Sequence, residues 1–180
     1  HKAYGYKTYE KKEKINNNNI YDLASLTKIL VSVPLLLNEF MTNDFDLTTN
    51  LSELFPDKEL KNKKDLTVKQ LFSHYSGMKS WIPFYKKTID SVTNTRINKY
   101  YSNKKSQKFP FQVSDDLYIR NYNDTIFNEI INSELSDSLR YVYSDLPYFL
   151  LKFYLEKKYQ LSLDTQIKNY LYDKIGSTSL

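Results

Sequence analysis

The sequence predicts an α/β (α+β) fold that is mainly helical and opens with one strand or hairpin. Apolar residues recur at helical spacing in several segments, whereas "KAYGYKTYE" alternates tyrosine and threonine with small or charged residues, as strands do. With 180 residues and a hydrophobic fraction of 41%, the chain can pack a core. We assign residues 1–180 to part of one domain.

The first elements follow from local signals. Residues 4–8 predict a strand, with a turn at "EKKEK". Asp22 can accept a hydrogen bond from a free N–H of a following helix, which we predict over residues 23–41. Pro34 predicts a bend or break in that helix, because proline lacks the N–H that the helix needs. A short helix should end before Pro56.

The remaining helices are predicted from caps and apolar stripes, and residues 87–122 are predicted to be loop with short strands. The four predicted helices are one capped by Thr67 and stopped at Gly77, one capped near Asn123, one over residues 145–159, and one capped by Ser162 and stopped at Gly176.

Composition excludes several function classes. The absence of cysteine rules out disulfides and thiol nucleophiles. Net charge is +5, but the three arginines are far apart in sequence, so we expect no nucleic-acid partner. No segment is long and apolar enough to predict a membrane span. With only two histidines, we expect no metal site, and nothing in the sequence calls for a cofactor.

Ser25 and Lys28 stand at the start of the long predicted helix, three residues apart and therefore on one face. Burial and the helix dipole would lower the pKa of Lys28, and a neutral lysine could take the serine proton. The free N–H of Ser25 could hold an oxyanion. A solvated polar pair is the alternative, because Ser-x-x-Lys also arises by chance.

Three ordered segments carry a family resemblance: "YDLASLTKIL", "LTVKQLFSHYSGM" and "YVYSDLPYFLLKFYLEK". They resemble the serine β-lactamase/penicillin-binding-protein-like (class C type) superfamily. With "KSWIPFYKKT" they also resemble the β-lactamase-like domains attached to family-three glycoside hydrolases in Bacteroidetes-type bacteria. The resemblance implies a β-lactamase/transpeptidase-like fold, of which this chain supplies the N-terminal half: the helical subdomain and first β-strands.

The resemblance also implies roles for residues. Ser25 would be the acylated nucleophile, Lys28 its base, and Tyr143 a partner in proton transfer. Asp145 would position Lys28 and the substrate amide. Tyr141 is a nearby alternative to Tyr143, but the Tyr-Ser-Asp motif favours Tyr143.

Other residues near these motifs have expected roles. His74 in "SHYSGM" is expected to tie down a helix end and loop, as the family uses it, and not to act as a catalytic base. Trp81 could line one wall of the substrate groove together with Phe84 and Tyr85. An aromatic plug over the helical layer is an equally good interpretation of these three rings.

The family's third motif, Lys/His-x-Gly on a late strand, has no match after Tyr143. We therefore expect the later sheet strands to lie outside this chain and the chain alone to be inactive. A missing C-terminal half or a fused glycosidase domain would be its protein partner.

The predicted function is that of a serine hydrolase acting through an acyl-enzyme on an amide or ester: a β-lactam, a D-amino-acid peptide or a small ester. The partner would be that small-molecule or peptide substrate, and the resemblance implies a periplasmic or secreted location. The alternative is a non-catalytic module that binds cell-wall peptide or scaffolds a glycosidase. A purely helical interaction domain would not explain three ordered motifs.

Overall fold

The computed structural model describes residues 2–42, 45–137 and 140–177, and the elements below are those of these residues. Two π-helical segments, Lys28–Ser32 and Lys168–Tyr172, and two 3-10 turns, Lys61–Lys63 and Phe84–Thr88, accompany the regular elements. The α-helices are α1 (Val33–Met41), α2 (Leu51–Leu54), α3 (Val68–Phe72), α4 (Asn123–Asn132), α5 (Leu146–Tyr159) and α6 (Leu163–Ile167), and the strands are β1 (Tyr101–Ser102), β2 (Phe111–Ser114) and β3 (Leu117–Ile119).

Helix α5 is the centre of the packing. It contacts α3 and α4, and also α6 and the Lys28–Ser32 segment. Its apolar residues are buried around most of its circumference, as expected for a helix enclosed by others. The fully buried leucines Leu150, Leu151 and Leu155 join residues of every other α-helix in one core. The start of α5 is thereby fixed relative to the helix that follows Ser25.

The helix after Ser25 differs from the regular one predicted over residues 23–41. It is helical from Leu26, but Lys28–Ser32 is π-helical, and the N–H of Val33 donates to the Lys28 carbonyl. Pro34 cannot donate to the carbonyl of Leu30, four residues earlier. That carbonyl instead accepts a 2.8 Å bond from the Tyr172 hydroxyl. The missing backbone bond is thus replaced by a side chain from the end of the chain.

The prediction of a strand at residues 4–8 is wrong. Residues 4–8 form only an isolated antiparallel bridge, Tyr6 with Lys14, supported by a 2.9 Å bond from the N–H of Lys7 to the Glu13 carbonyl. Tyr4, Tyr6 and Tyr9 are exposed. No further described strand lies beside this turn, and an isolated hairpin is marginal in water.

The prediction for residues 87–122 is confirmed. Three short strands form an antiparallel sheet in the order β1-β3-β2. Ile119 of β3 lies opposite Tyr101 on one side and Phe111 on the other. The register of β2 shifts between Gln112 and Ser114, which marks a bulge.

The predicted caps were partly correct. Thr67 and Gln70 form a reciprocal capping box at α3, but α3 ends at Phe72, before the predicted stop at Gly77. The helix predicted to end before Pro56 is α2. The last helix is shorter than predicted, because α6 gives way to the second π-helical segment well before Gly176.

Apolar side chains are also exposed along one side of the helix that follows Ser25. They include Leu26, Ile29, Leu30, Leu37 and Met41. These side chains leave one face of this helix uncovered in the described part of the chain. None of the helices in the described ranges has the length and apolarity needed to cross a membrane.

Gly77 should tolerate alanine less well than Gly176. Both have positive φ, +70° and +72°, which costs an alanine about 1–2 kcal/mol. A Cβ on Gly77 would also lie 3.0 Å from the Ser136 carbonyl oxygen, whereas nothing lies within 4 Å at Gly176. We expect Gly77→Ala to lower the free energy of unfolding by roughly 1 kcal/mol more than Gly176→Ala, measured by urea denaturation. Equal losses would contradict this close approach.

Candidate active site

Ser25 lies in a turn and not within regular helix. The carboxylate of Asp22 accepts a 2.8 Å hydrogen bond from the N–H of Ala24, and Ala24 has φ +44°, a value that alanine rarely adopts. The turn continues with a 3.1 Å bond from the N–H of Lys28 to the Ser25 carbonyl. Ser25 itself is exposed, and its N–H has no hydrogen-bond acceptor among the described residues.

Lys28 connects Ser25 to the start of α5. Its Nζ donates to Ser25 Oγ at 3.2 Å and to Asp145 Oδ1 at 2.6 Å. The Lys28 side chain is only 13% exposed, whereas that of Asp145 is 42% exposed. The ammonium also lies 5.0 Å from the ring centroid of Tyr143 and 5.7 Å from that of Tyr148, within cation–π range. A largely buried cation is thus surrounded by one carboxylate, one hydroxyl and two aromatic rings.

The Tyr-Ser-Asp segment is anchored by the loop after α3. The backbone N–H of Ser144 donates to His74 Nδ1 at 3.2 Å, and the Ser144 hydroxyl donates to the Lys79 carbonyl at 2.6 Å. The N–H of Asp145 donates to the Ser80 carbonyl at 2.9 Å. The structural role expected for His74 is therefore confirmed.

The neutral form of His74 suits this role. Burial, and then the positive charge of Lys28, lower the pKa of His74 below its ordinary 6.5. The unprotonated Nδ1 can then accept from Ser144. The His74 ring packs against the tilted Tyr143 ring, with the ring centroids 4.6 Å apart, and so supports the phenol as well as the backbone.

The expectation that the pKa of Lys28 is lowered is wrong. Burial does lower it and is the largest single influence. Hydrogen bonds and charge from Asp145 and Tyr143 together outweigh burial and raise the pKa of Lys28 above its ordinary 10.5. The hydrogen bond to Asp145, 117 residues away, leads this upward shift, and Lys28 is an ammonium at neutral pH.

The pKa of Tyr143 moves the other way. Hydrogen bonding to Ser25, and next to Lys28, lowers the pKa of this phenol below its ordinary 10, although burial and the charge of Asp145 oppose the shift. The residue is 44% exposed, so the phenol is open to solvent. Tyr141, the nearby alternative, packs its ring against Tyr75 and the edge of His74.

Ser25 and Lys28 border two shallow clefts. One, of about 390 Å³, is lined on its other side by Asp145, Tyr148 and Phe149. The second cleft, of about 450 Å³, contains Tyr143, Tyr148 and His74. The structure therefore brings together four of the five predicted site residues.

Trp81 is the one predicted site residue that the structure places apart from the other four. It does not border either cleft and lines an adjoining cavity with Phe84 and Tyr85. Sequence reasoning missed Tyr148, Phe149 and Lys152, which line the Asp145 cleft. They follow Asp145 by three, four and seven residues, so the helical period from the Tyr-Ser-Asp motif could have found them. In the described parts of the chain no group of acidic, histidine or cysteine side chains is arranged to hold a metal ion.

The chain combines mixed helices with a small antiparallel sheet, and comparison with known proteins assigns this arrangement to the β-lactamase-like fold. The Beta-lactamase family model matches residues 1–179, and the chain belongs to this family. A search of curated proteins found no match.

Two solved structures are similar. FmtA from Staphylococcus aureus has a TM-score of 0.61 and 19% identity, over 94% of this chain and 39% of that chain. A protein provisionally described as a beta-lactamase from Bacteroides dorei DSM 17855 has a TM-score of 0.48 and 14% identity, over 75% of this chain and 32% of that one. The chain thus spans between about a third and two fifths of these proteins.

Replacing Asp145 by asparagine should lower the pKa of Lys28. The substitution removes the hydrogen bond and the charge by which Asp145 raises the pKa, while burial, the largest single influence, still lowers it. We expect NMR titration of the Lys28 side chain to show a lower pKa in Asp145→Asn, with no change in Asp124→Asn, whose carboxylate lies exposed on α4. The wild type should lose stability as pH rises above about 10.5, because a raised lysine pKa stabilises the fold only below that range. An unchanged Lys28 pKa in Asp145→Asn would contradict the conclusion that Asp145 raises the pKa of Lys28.

Proposed function

We propose that this chain carries the nucleophile of a serine acyl-transfer site, in which Ser25 attacks an ester or amide carbonyl. The observation that carries the proposal is the position of the Lys28 ammonium, which bonds both Ser25 Oγ and Asp145 Oδ1. Membership of the Beta-lactamase family supports the same class of chemistry. A solvated polar pair would not need a carboxylate partner from α5 or a nearly buried lysine.

Tyr143 is the better candidate for the base. Lys28 already carries a proton, so it cannot accept another from Ser25. Tyr143 lines the same cleft as Ser25, and hydrogen bonding to Ser25 is the leading cause of the lowered pKa of its phenol. In the proposed step, the Ser25 proton moves to the Tyr143 phenolate while Oγ bonds to the carbonyl carbon. The tyrosine then returns that proton to the leaving group as the ester or amide bond breaks.

Lys28 and the Ser25 backbone have supporting roles. The ammonium stabilises the phenolate and the negative charge that develops on Oγ. The Ser25 N–H, which has no acceptor among the described residues, can donate to the carbonyl oxygen as it becomes an oxyanion. A second oxyanion donor is expected from the family's late strand, for which this chain has no motif. Water or another nucleophile would resolve the acyl-enzyme.

The proposed substrates are those that the resemblance implies: a β-lactam, a D-amino-acid peptide or a small ester. A place in the cell envelope, periplasmic or secreted, and a link to a glycosidase domain belong to the same proposal. The alternative is a non-catalytic module. The exposed Ser25 turn and the shallow clefts favour binding without turnover, because a water-filled site weakens electrostatic stabilisation of the transition state.

Covalent labelling tests the proposal. With the late strand of the family supplied, we expect a fluorophosphonate or fluorescent penicillin to label the wild type and not Ser25→Ala. Ser91→Ala removes another exposed serine and should label like the wild type. Mass spectrometry should place the adduct on Ser25. A folded wild type that stays unlabelled with the late strand supplied would support the binding module instead.

Tyr143→Phe should label about 10²–10⁴-fold more slowly, the usual contribution of a general base. Tyr141→Phe is the matched control and should label at close to the wild-type rate. Labelling should accelerate with pH up to the lowered pKa of Tyr143, because the phenolate fraction rises. Equal rates for the two variants would exclude Tyr143 as the base.

A further inference from the structure

A cavity lined by several aromatic rings lies beside the Ser25 site. It has a volume of about 770 Å³, within the range of small-molecule sites. Aromatic side chains dominate its lining, with contributions from the three-stranded sheet, the Phe84–Thr88 turn and α5. The rings are those of Trp81, Phe84, Tyr85, Tyr101, Phe111 and Tyr122.

This aromatic cavity shares a wall with the Asp145 cleft. Lys152 lines both spaces, and Phe84 of the cavity packs edge-to-face on Phe149 of the cleft, with ring centroids 5.6 Å apart. The carbonyl of Ser80, the residue before Trp81, accepts the N–H of Asp145. A ligand whose reacting carbonyl lies at Ser25 can therefore extend past Lys152 into the aromatic cavity.

Most polar groups of the wall are already paired. The Thr88 hydroxyl lies 2.8 Å from the Tyr101 hydroxyl and donates to the Tyr85 carbonyl at 2.7 Å. Lys152 forms an ion pair with Glu156 at 2.5 Å. The cavity consequently offers aromatic faces and few free polar atoms, which suits a ring or hydrocarbon group.

Arg120 is the exception to this pairing. It follows β3 and lines the cavity, and its guanidinium has no hydrogen bond or ion pair with any described residue. Its charge acts on Tyr122, the neighbouring ring of the wall. With Lys152 neutralised by Glu156, the lining carries one uncompensated positive charge. A planar guanidinium beside aromatic rings matches a carboxylate attached to an apolar group.

We propose that the aromatic cavity is a substrate subsite that binds an aromatic or hydrocarbon group bearing a carboxylate, and that Arg120 binds the carboxylate. The proposal rests on the function proposed for Ser25, since it assigns the part of the acyl substrate remote from the scissile carbonyl. It extends that function by assigning Arg120 and the sheet residues to specificity.

Trp81 gives a direct readout, because it is the chain's single tryptophan and is 56% exposed at the cavity. We would titrate the protein with 4-phenylbutyrate, with its neutral amide and with butyrate, following Trp81 fluorescence. We expect a saturable change for the two ring compounds, with phenylbutyrate binding about tenfold more tightly than the amide. Butyrate should bind weakly, since it lacks the ring.

The matched variants are Arg120→Gln and Arg96→Gln. Arg120→Gln should bind the acid and the amide equally, whereas Arg96→Gln, which changes an exposed arginine outside the cavity, should behave as the wild type. Circular dichroism would verify that both variants retain their helices. No saturable Trp81 response, or a preference for the acid that survives in Arg120→Gln, would overturn the proposal.

A second experiment distinguishes the subsite proposal from the function proposed for Ser25. Ser25→Ala should bind phenylbutyrate as the wild type does, because Ser25 lies outside the cavity. Binding without any covalent labelling of the wild type would sink the acyl-transfer proposal and leave the binding site intact. Covalent labelling of the wild type without a Trp81 response would overturn the subsite proposal and leave the acyl-transfer proposal intact.

Discussion

The candidate site is organised by one buried cation. Lys28 is held among aromatic rings with little exposure, and a lysine in that position must keep a counter-charge or lose its proton. Asp145 lies 117 residues later in the chain and provides the counter-charge at 2.6 Å. The pairing requires the start of α5 to lie against the Ser25 turn. The packing of α5 at the centre of the core provides this placement.

The same pairing sets the direction of proton transfer. An ammonium beside Ser25 Oγ cannot remove the serine proton, but it favours negative charge on the two oxygens that it faces. In the proposed mechanism the proton acceptor is Tyr143, whose own pKa is lowered. The neutral His74 ring beneath Tyr143 supports the phenol without competing for the proton.

Sequence reasoning predicted α5 to within one residue of its bounds, and it predicted the start of α3, where Thr67 caps an apolar stripe. It failed at residues 4–8, because alternation describes a strand's faces but does not provide the neighbouring strand. It expected a regular helix at Lys28, where the loss of the Pro34 N–H and the π-helical turn change the backbone.

The sequence predicted which residues form most of the site, but it did not predict the direction of the Lys28 pKa shift. The motifs brought Ser25, Lys28, Tyr143 and Asp145 to one place, but the sign of the Lys28 pKa shift depends on a distance that no motif spacing gives. Trp81 was expected on one wall of the substrate groove, and it lines the adjoining aromatic cavity, where Phe84 packs against Phe149 of the Asp145 cleft. Arg120 carried no local signal, since its importance comes from the cavity that surrounds it.

The most direct test of this account is the ionisation of Tyr143, followed by NMR of ring-labelled tyrosine against pH. We expect the Tyr143 phenol to titrate below 10 in the wild type and to move back upward in Ser25→Ala, because the hydrogen bond to Ser25 is the largest cause of the shift. A Tyr143 that titrates at or above 10, and that does not respond to the loss of the Ser25 hydroxyl, would contradict the proposed proton path.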